Sequence, residues 1–135
     1  MPDVTYKRID EMEGIYEGIA RRARAELGVT AFGMQVLSLP PNWDGYPKHH
    51  HGPDAADAGQ EEVYVPIAGG GKLVAGGTEY ELRPGVAVRV GPEQPRQILP
   101  GDEGISFVAL GGLPGAFDPP AWTELGAAPP VPASV

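Results

Sequence analysis

Glycine and proline cut the middle of the chain into short apolar pieces. Gly69-Gly70-Gly71, Gly76-Gly77, Pro84-Gly85, Gly91-Pro92, Pro100-Gly101 and Gly111-Gly112 follow one another at intervals of seven to eleven residues. A helix of ordinary length does not fit between such breaks, whereas strands of about five residues do. The intervening runs are rich in β-branched and aromatic residues, so strands are expected at about 31–39, 49–51, 62–68, 72–75, 78–82, 87–90, 96–99 and 105–110. Many short strands separated by turn signals make an all-β sandwich or barrel. The 20 glycines and 16 prolines among 135 residues would also suit a disordered chain, but their placement between apolar runs favours turns. Ala75-Gly76-Gly77-Thr78 reads as a two-glycine hairpin, because positive φ costs glycine nothing.

The two ends differ from this middle. Met12, Ile15, Tyr16, Ile19, Ala23 and Leu27 recur at spacings of three and four, the stripe of an amphipathic helix over 10–27 with Gly28 as its C-cap. Arg21, Arg22 and Arg24 lie off that stripe. They form an anion or partner site, or simply a solvated cationic face near a helix C-terminus, where positive charge is favoured. Residues 113–135 are proline-rich without strand alternation; Trp122 and Leu125 are expected to pin part of this tail, and 127–135 to fray. The expected organisation is a helical segment 1–30, a barrel 31–112 and a tail 113–135 around a single core.

Charge and composition narrow the function classes. Ten Lys and Arg against 18 Asp and Glu give a net charge of −8, which argues against nucleic acid as a partner, since its binding depends on cationic neutralisation of phosphates. The chain has no cysteine, so a disulfide framework and a thiolate metal site are both excluded. No segment approaches the ~20 consecutive apolar residues of a membrane span, and the first residues are charged. The expectation is a cytoplasmic protein with no membrane partner.

All three histidines stand together as His49, His50 and His51, ahead of Glu61 and Glu62. In an extended segment His49 and His51 share one face and His50 takes the other. Two imidazoles with a carboxylate returning on the next strand form a ligand set for a divalent metal. His49-x-His51, then Glu62, then Gly69 seven positions on, with Gly45 upstream, resembles the first motif of the cupin family of small β-barrels, in particular the small single-domain cupin 2 conserved barrel type. The resemblance spans about 40–112 and implies a double-stranded β-helix (cupin, jelly-roll) barrel with one N-terminal α-helix. Two departures stand out. Gly45 lies closer to the histidines than the family pattern has it, and 52–61 (GPDAADAGQE) is longer, which reads as an extended hairpin loop.

The second cupin motif is present in outline. Pro84-Gly85 begins it, and the family spacing brings the place of the third histidine to Arg96. The resemblance therefore implies metal ligands at His49, His51 and Glu62 only. That set suits zinc, iron, manganese or nickel and leaves coordination positions open. Arginine is always protonated and repels a cation, so Arg96 either pairs with Glu62 or holds an anionic ligand beside the ion. Tyr64, with Trp43 and Tyr46, lines a pocket mouth or belongs to the core; Gln60 shares the parity of Glu62; Glu61 and His50 face away; Arg83 and Arg89 carry no signal.

Three functions remain open at this point. The first is a metal-dependent enzyme acting on a small anionic molecule held by Arg96 and Tyr64. The second is a metal-free, non-catalytic binding barrel with a Glu62–Arg96 ion pair. The third is a structural barrel, with a homodimer formed where the helix or the strand near Phe32 extends a neighbour's sheet.

Overall fold

A computed structural model describes residues 2–117. The expectations for Trp122, Leu125 and 127–135 lie outside these residues. Two short strands, β1 (Gly14–Ile15) and β2 (Ala20–Arg21), precede the short helix α1 (Ala23–Leu27). Five strands follow: β3 (Gly33–Leu39), β4 (Glu61–Ala75), β5 (Thr78–Leu82), β6 (Val88–Val90) and β7 (Gln97–Gly112). Every strand pairing is antiparallel, in the order β1-β2-β3-β7-β4-β5, with β6 also on β4.

The long strands fold the sheet onto itself. The first part of β4 pairs with β6 and the second part of β7, for example Tyr64 with Val88 and Ala109. Its second part pairs with β5 and the first part of β7, for example Leu73 with Tyr80 and Ile98. Between the Gly69–Ile105 and Gly71–Pro100 pairs, residues 101–104 of β7 pass the single residue Gly70, a large bulge that bends both strands. The inward side chains of the two halves meet in one core that includes Leu37, Tyr64, Leu73, Leu82, Ile98 and Phe107. The chain is an all-β barrel.

Two sequence expectations need correction here. Gly69-Gly70-Gly71 and Pro100-Gly101 bend continuous strands and do not end them. A Cβ on Gly71 would run into the carbonyl oxygen of Leu99, so the absence of a side chain permits the close approach of β4 and β7. The helix over 10–27 is also absent. A 3₁₀ turn at Ile9–Glu11, the β1–β2 hairpin and a helix of five residues take its place. Gly14 and Gly18 weaken a helix there, and the edge of β3 captures Ala20 and Arg21 opposite Leu37 and Val36. The apolar stripe is still used: Met12 and Ala23 pack on Val36 outside the barrel. Gly28 caps α1 in the left-handed region, φ 77°, donating its N–H to the Arg24 carbonyl. Arg21 donates to the Met12 carbonyl and Arg22 lies 3.5 Å from Glu13, so two of the three arginines are tied to their own hairpin. The glycine hairpin at 76–77 forms as expected, with Ala75 opposite Thr78. No helix among the described residues is long and apolar enough to cross a membrane.

Candidate functional site

The inward face of β3, β7 and β4 ends in an open cleft of about 590 Å³. Gly33 and Gly111 face each other across β3 and β7 at its mouth, and their missing side chains keep it open. Opposite this floor runs the segment carrying the histidines. It is not the strand that alternation predicts: only His49 pairs, by an isolated antiparallel bridge in which His49 and Arg96 exchange backbone N–H···O bonds of 2.9 Å each. His51 is held separately, donating its N–H to the Pro92 carbonyl and accepting from Gly59. The two imidazoles nevertheless converge, with ring centroids 5.2 Å apart. His50 turns aside, where its Nδ1 accepts the Gly52 N–H, although it still lines the cleft.

The hydrogen bonds fix how these rings present themselves. Nδ1 of His49 lies 3.1 Å from the Pro47 carbonyl, and Nδ1 of His51 lies 3.1 Å from the Asp57 carbonyl and 2.8 Å from its Oδ1. A carbonyl oxygen only accepts, so both Nδ1 atoms carry the proton and a neutral ring presents an Nε2 lone pair inward. Both lone pairs point at one oxygen, Oε1 of Glu62, at 3.5 Å from His49 and 2.6 Å from His51. A lone pair and a carboxylate oxygen at 2.6 Å repel unless a proton or a cation lies between them.

The same oxygen gathers two further groups. The Tyr64 hydroxyl donates to it at 2.8 Å, and Nη1 of Arg96 stands 3.7 Å away. Burial alone would raise the Glu62 carboxyl, but the contacts from His49, Tyr64 and His51 outweigh it and hold the group down at about 2. The carboxylate in turn raises His49 above its ordinary value, against the opposing effect of burial. Burial first, and then the charge of Glu62, push the Tyr46 phenol up to about 12; burial, followed by Tyr46 and Glu62, raises Tyr64 as well, so both stay neutral.

Arg96 is fully buried. Its Nη2 donates to the Gly91 carbonyl at 2.7 Å, whereas Nε and Nη1 have no hydrogen-bond partner among the described residues. The expected buried, hydrogen-bonded Glu62–Arg96 pair is thus an ion pair at 3.7 Å without a hydrogen bond, because His51 and Tyr64 already occupy Oε1. Tyr64 is likewise fully buried, so both lie behind Glu62 and outside the cleft lining. Tyr46 forms part of the cleft wall and Trp43 lines a neighbouring hollow. Gln60 lines the cleft, while Glu61 accepts from Arg89 on the outward face at 2.6 Å.

Sequence reasoning missed Asp57. It sits in the long 52–60 loop, which folds back through the Gly59-to-His51 bond and fastens the His51 ring. Acidic residues, Asp54 and Asp57, in an insertion next to the histidines were the available signal.

The donor set fits a divalent ion. One ligand atom each from His49, His51 and Glu62 lies within 4.8 Å of the others, with both histidine tautomers set for coordination by outer hydrogen bonds. Nitrogen and oxygen donors of this kind suit zinc, iron, manganese or nickel.

No protein-family model matches the chain, and the curated proteins yield no significant match. Solved structures do resemble it. A cupin protein from Bacteroides fragilis superposes with a TM-score of 0.68 at 21% identity, over 92% of this chain and 96% of that one. A sugar phosphate isomerase from a cupin superfamily of Silicibacter pomeroyi gives 0.63 at 20% identity, over 79% and 74%. A Cupin 2 conserved barrel domain protein from Salinispora arenicola gives 0.51 at 20% identity, over 64% and 67%. With its antiparallel strand order and its folded-over long strands, the chain has the cupin fold.

Proposed function

We propose that this barrel binds a small anionic molecule through a divalent metal ion held by His49, His51 and Glu62. The observation that carries the reading is the pair of inward Nε2 lone pairs aimed at one carboxylate oxygen, with both Nδ1 atoms committed to carbonyls behind them. Once bound by these residues, the ion would supply a Lewis-acidic centre. The protein residues hold that centre in place. Asp57 and Pro47 orient the imidazoles, and Tyr64 and Arg96 fix the Glu62 carboxylate from behind, acting on a ligand through the carboxylate. An anion suits the cleft because a divalent cation bound by one carboxylate keeps positive charge, to which buried Arg96 adds. The isomerase among the fold relatives is named for an anionic substrate class, which is a fold-level analogy only.

Arg96 also favours a second reading. A fully buried guanidinium 3.7 Å from Glu62 balances the carboxylate charge without any metal, leaving a metal-free binding or structural barrel. One experiment separates the two. Protein prepared without an affinity tag or chelating column is analysed for metal and titrated with zinc by calorimetry. The metal reading expects one zinc per chain, with binding weakened at least a hundredfold in Glu62→Gln. No uptake by the unaltered chain would leave the second reading. We include a homodimer in the proposal, although not through β3: that strand lies between β2 and β7 and offers no full edge.

A further inference from the structure

We infer that the ligand is a carboxylate carrying an apolar group, with its carboxylate at the His49/His51/Glu62 end and its apolar part in a side limb of the cleft. This inference rests on the metal-dependent anion reading above and adds the ligand class. A second hollow, of about 760 Å³, opens beside the first between the β1–β2 hairpin and the loop from Pro40 to Pro47. The two hollows share Tyr16, Gln35, Leu37, Tyr46 and Pro47 as walls, so a molecule anchored at the histidines can extend along Leu37 and Tyr46 into the limb.

The chemistry of the limb differs from that of the histidine end. Beyond the shared residues its wall includes Ile15, Ile19, Ala20 and Trp43, with Ile15, Ile19 and Trp43 packed on the core yet only half-buried. No Lys, Arg or His lines it, and its one charged residue is Glu17. An anionic group is therefore rejected from the limb and favoured at the other end, which orients a ligand with one charged and one apolar part.

The hairpin turn marks the junction of the two hollows. Tyr16 and Glu17 both hold left-handed backbone, φ 54° and 59°, before Gly18 at 88°. Two successive non-glycine residues in that region are strained, and such strain collects at binding sites. The turn places the Tyr16 ring against both hollows while leaving the residue 78% exposed. A ligand in the limb would cover that exposed aromatic surface.

The test titrates the zinc-loaded full chain with 3-phenylpropionate and with acetate by calorimetry, after metal analysis has counted the zinc bound. The expected result is 3-phenylpropionate binding at least tenfold tighter than acetate. That ratio should fall towards one in Ile19→Glu, which puts a charge in the limb, and in Tyr16→Gly, which relaxes the turn at an exposed position and folds even where the first variant does not. Equal affinities for the two carboxylates, with one zinc bound per chain, overturn the limb and leave the metal-anion reading standing. Failure to bind zinc and either carboxylate overturns both.

Discussion

The geometry around Oε1 of Glu62 places four groups on one oxygen: two imidazoles, a phenol and a guanidinium. In metal-free protein this cluster ties stability to pH on both sides. The Glu62 carboxyl is held at about 2, below its ordinary 4.5, so its contribution is present above 4.5 and is lost as pH falls towards 2. His49 is raised above its ordinary 6.5, so its contribution is complete below 6.5 and is lost as pH rises through the folded-state value. Chemical denaturation of metal-free protein should therefore show greatest stability between about 4.5 and 6.5, and Glu62→Gln should flatten both limbs; an unchanged profile in that variant would refute the coupling. Arg96→His gives the complementary prediction. It removes a fixed charge 3.7 Å from Oε1 and adds an imidazole at the residue bridged to His49, so zinc should bind at least tenfold tighter, about 1.4 kcal/mol, by calorimetry. Much of this constellation was legible in the sequence. The rings of His49 and His51 converge as alternation expects, although the segment is no strand and His51 is held by Pro92 and Gly59, and motif spacing brought Arg96 to the same point. The loop contact from Asp57 was not, because a turn of small residues carries no periodicity to say which way it folds.

At the scale of the elements, glycine decides where β4 and β7 bend. Gly69 has φ 67°, and a Cβ there would strike the carbonyl of Gly104, itself at φ 72°. Both features forbid a side chain at the bulge that turns the sheet back on itself. Gly69→Ala should cost about 1–3 kcal/mol or more in urea denaturation, whereas Gly112→Ala, whose Cβ meets nothing within 4 Å, should stay within about 0.5 kcal/mol. Equal effects would mean that the bulge is not needed. The same residues explain how the sequence was misread locally while the fold was read correctly. A glycine cluster marks a break in strand regularity, but sequence alone does not separate a turn, as at Gly76-Gly77, from a bulge inside one strand, as at Gly69-Gly71. The stripe over 10–27 failed for a related reason. Its three-and-four spacing is genuine, but Gly14 and Gly18 make the helix costly, and pairing with β3 buries Ala20 while Met12 and Ala23 still reach Val36.

For the whole molecule, the folded sheet leaves β1, β5 and the three-residue β6 at its edges. β1 has two residues, and β5 exposes Glu79 and Glu81, which would face each other across a two-fold pairing centred on Tyr80. Like charges directly opposite destabilise such a ladder, so a homodimer built by edge extension is disfavoured. The outer face of the sheet is better suited. α1 and Met12 cover it only around Val36, and beyond them Phe32, 46% exposed, borders a shallow groove with Val63 and Leu110. Exposed aromatic and aliphatic surface on a paired sheet face gives a second copy an apolar contact with no unsatisfied backbone. Sedimentation velocity at micromolar concentration should give a species of twice the chain mass, and Phe32→Asp should convert it to the monomer. Phe32 is not among the residues that line the cleft, so the substitution should leave zinc binding intact; a dimer that survives it would place the interface elsewhere, and a monomeric unaltered chain would remove the dimer altogether.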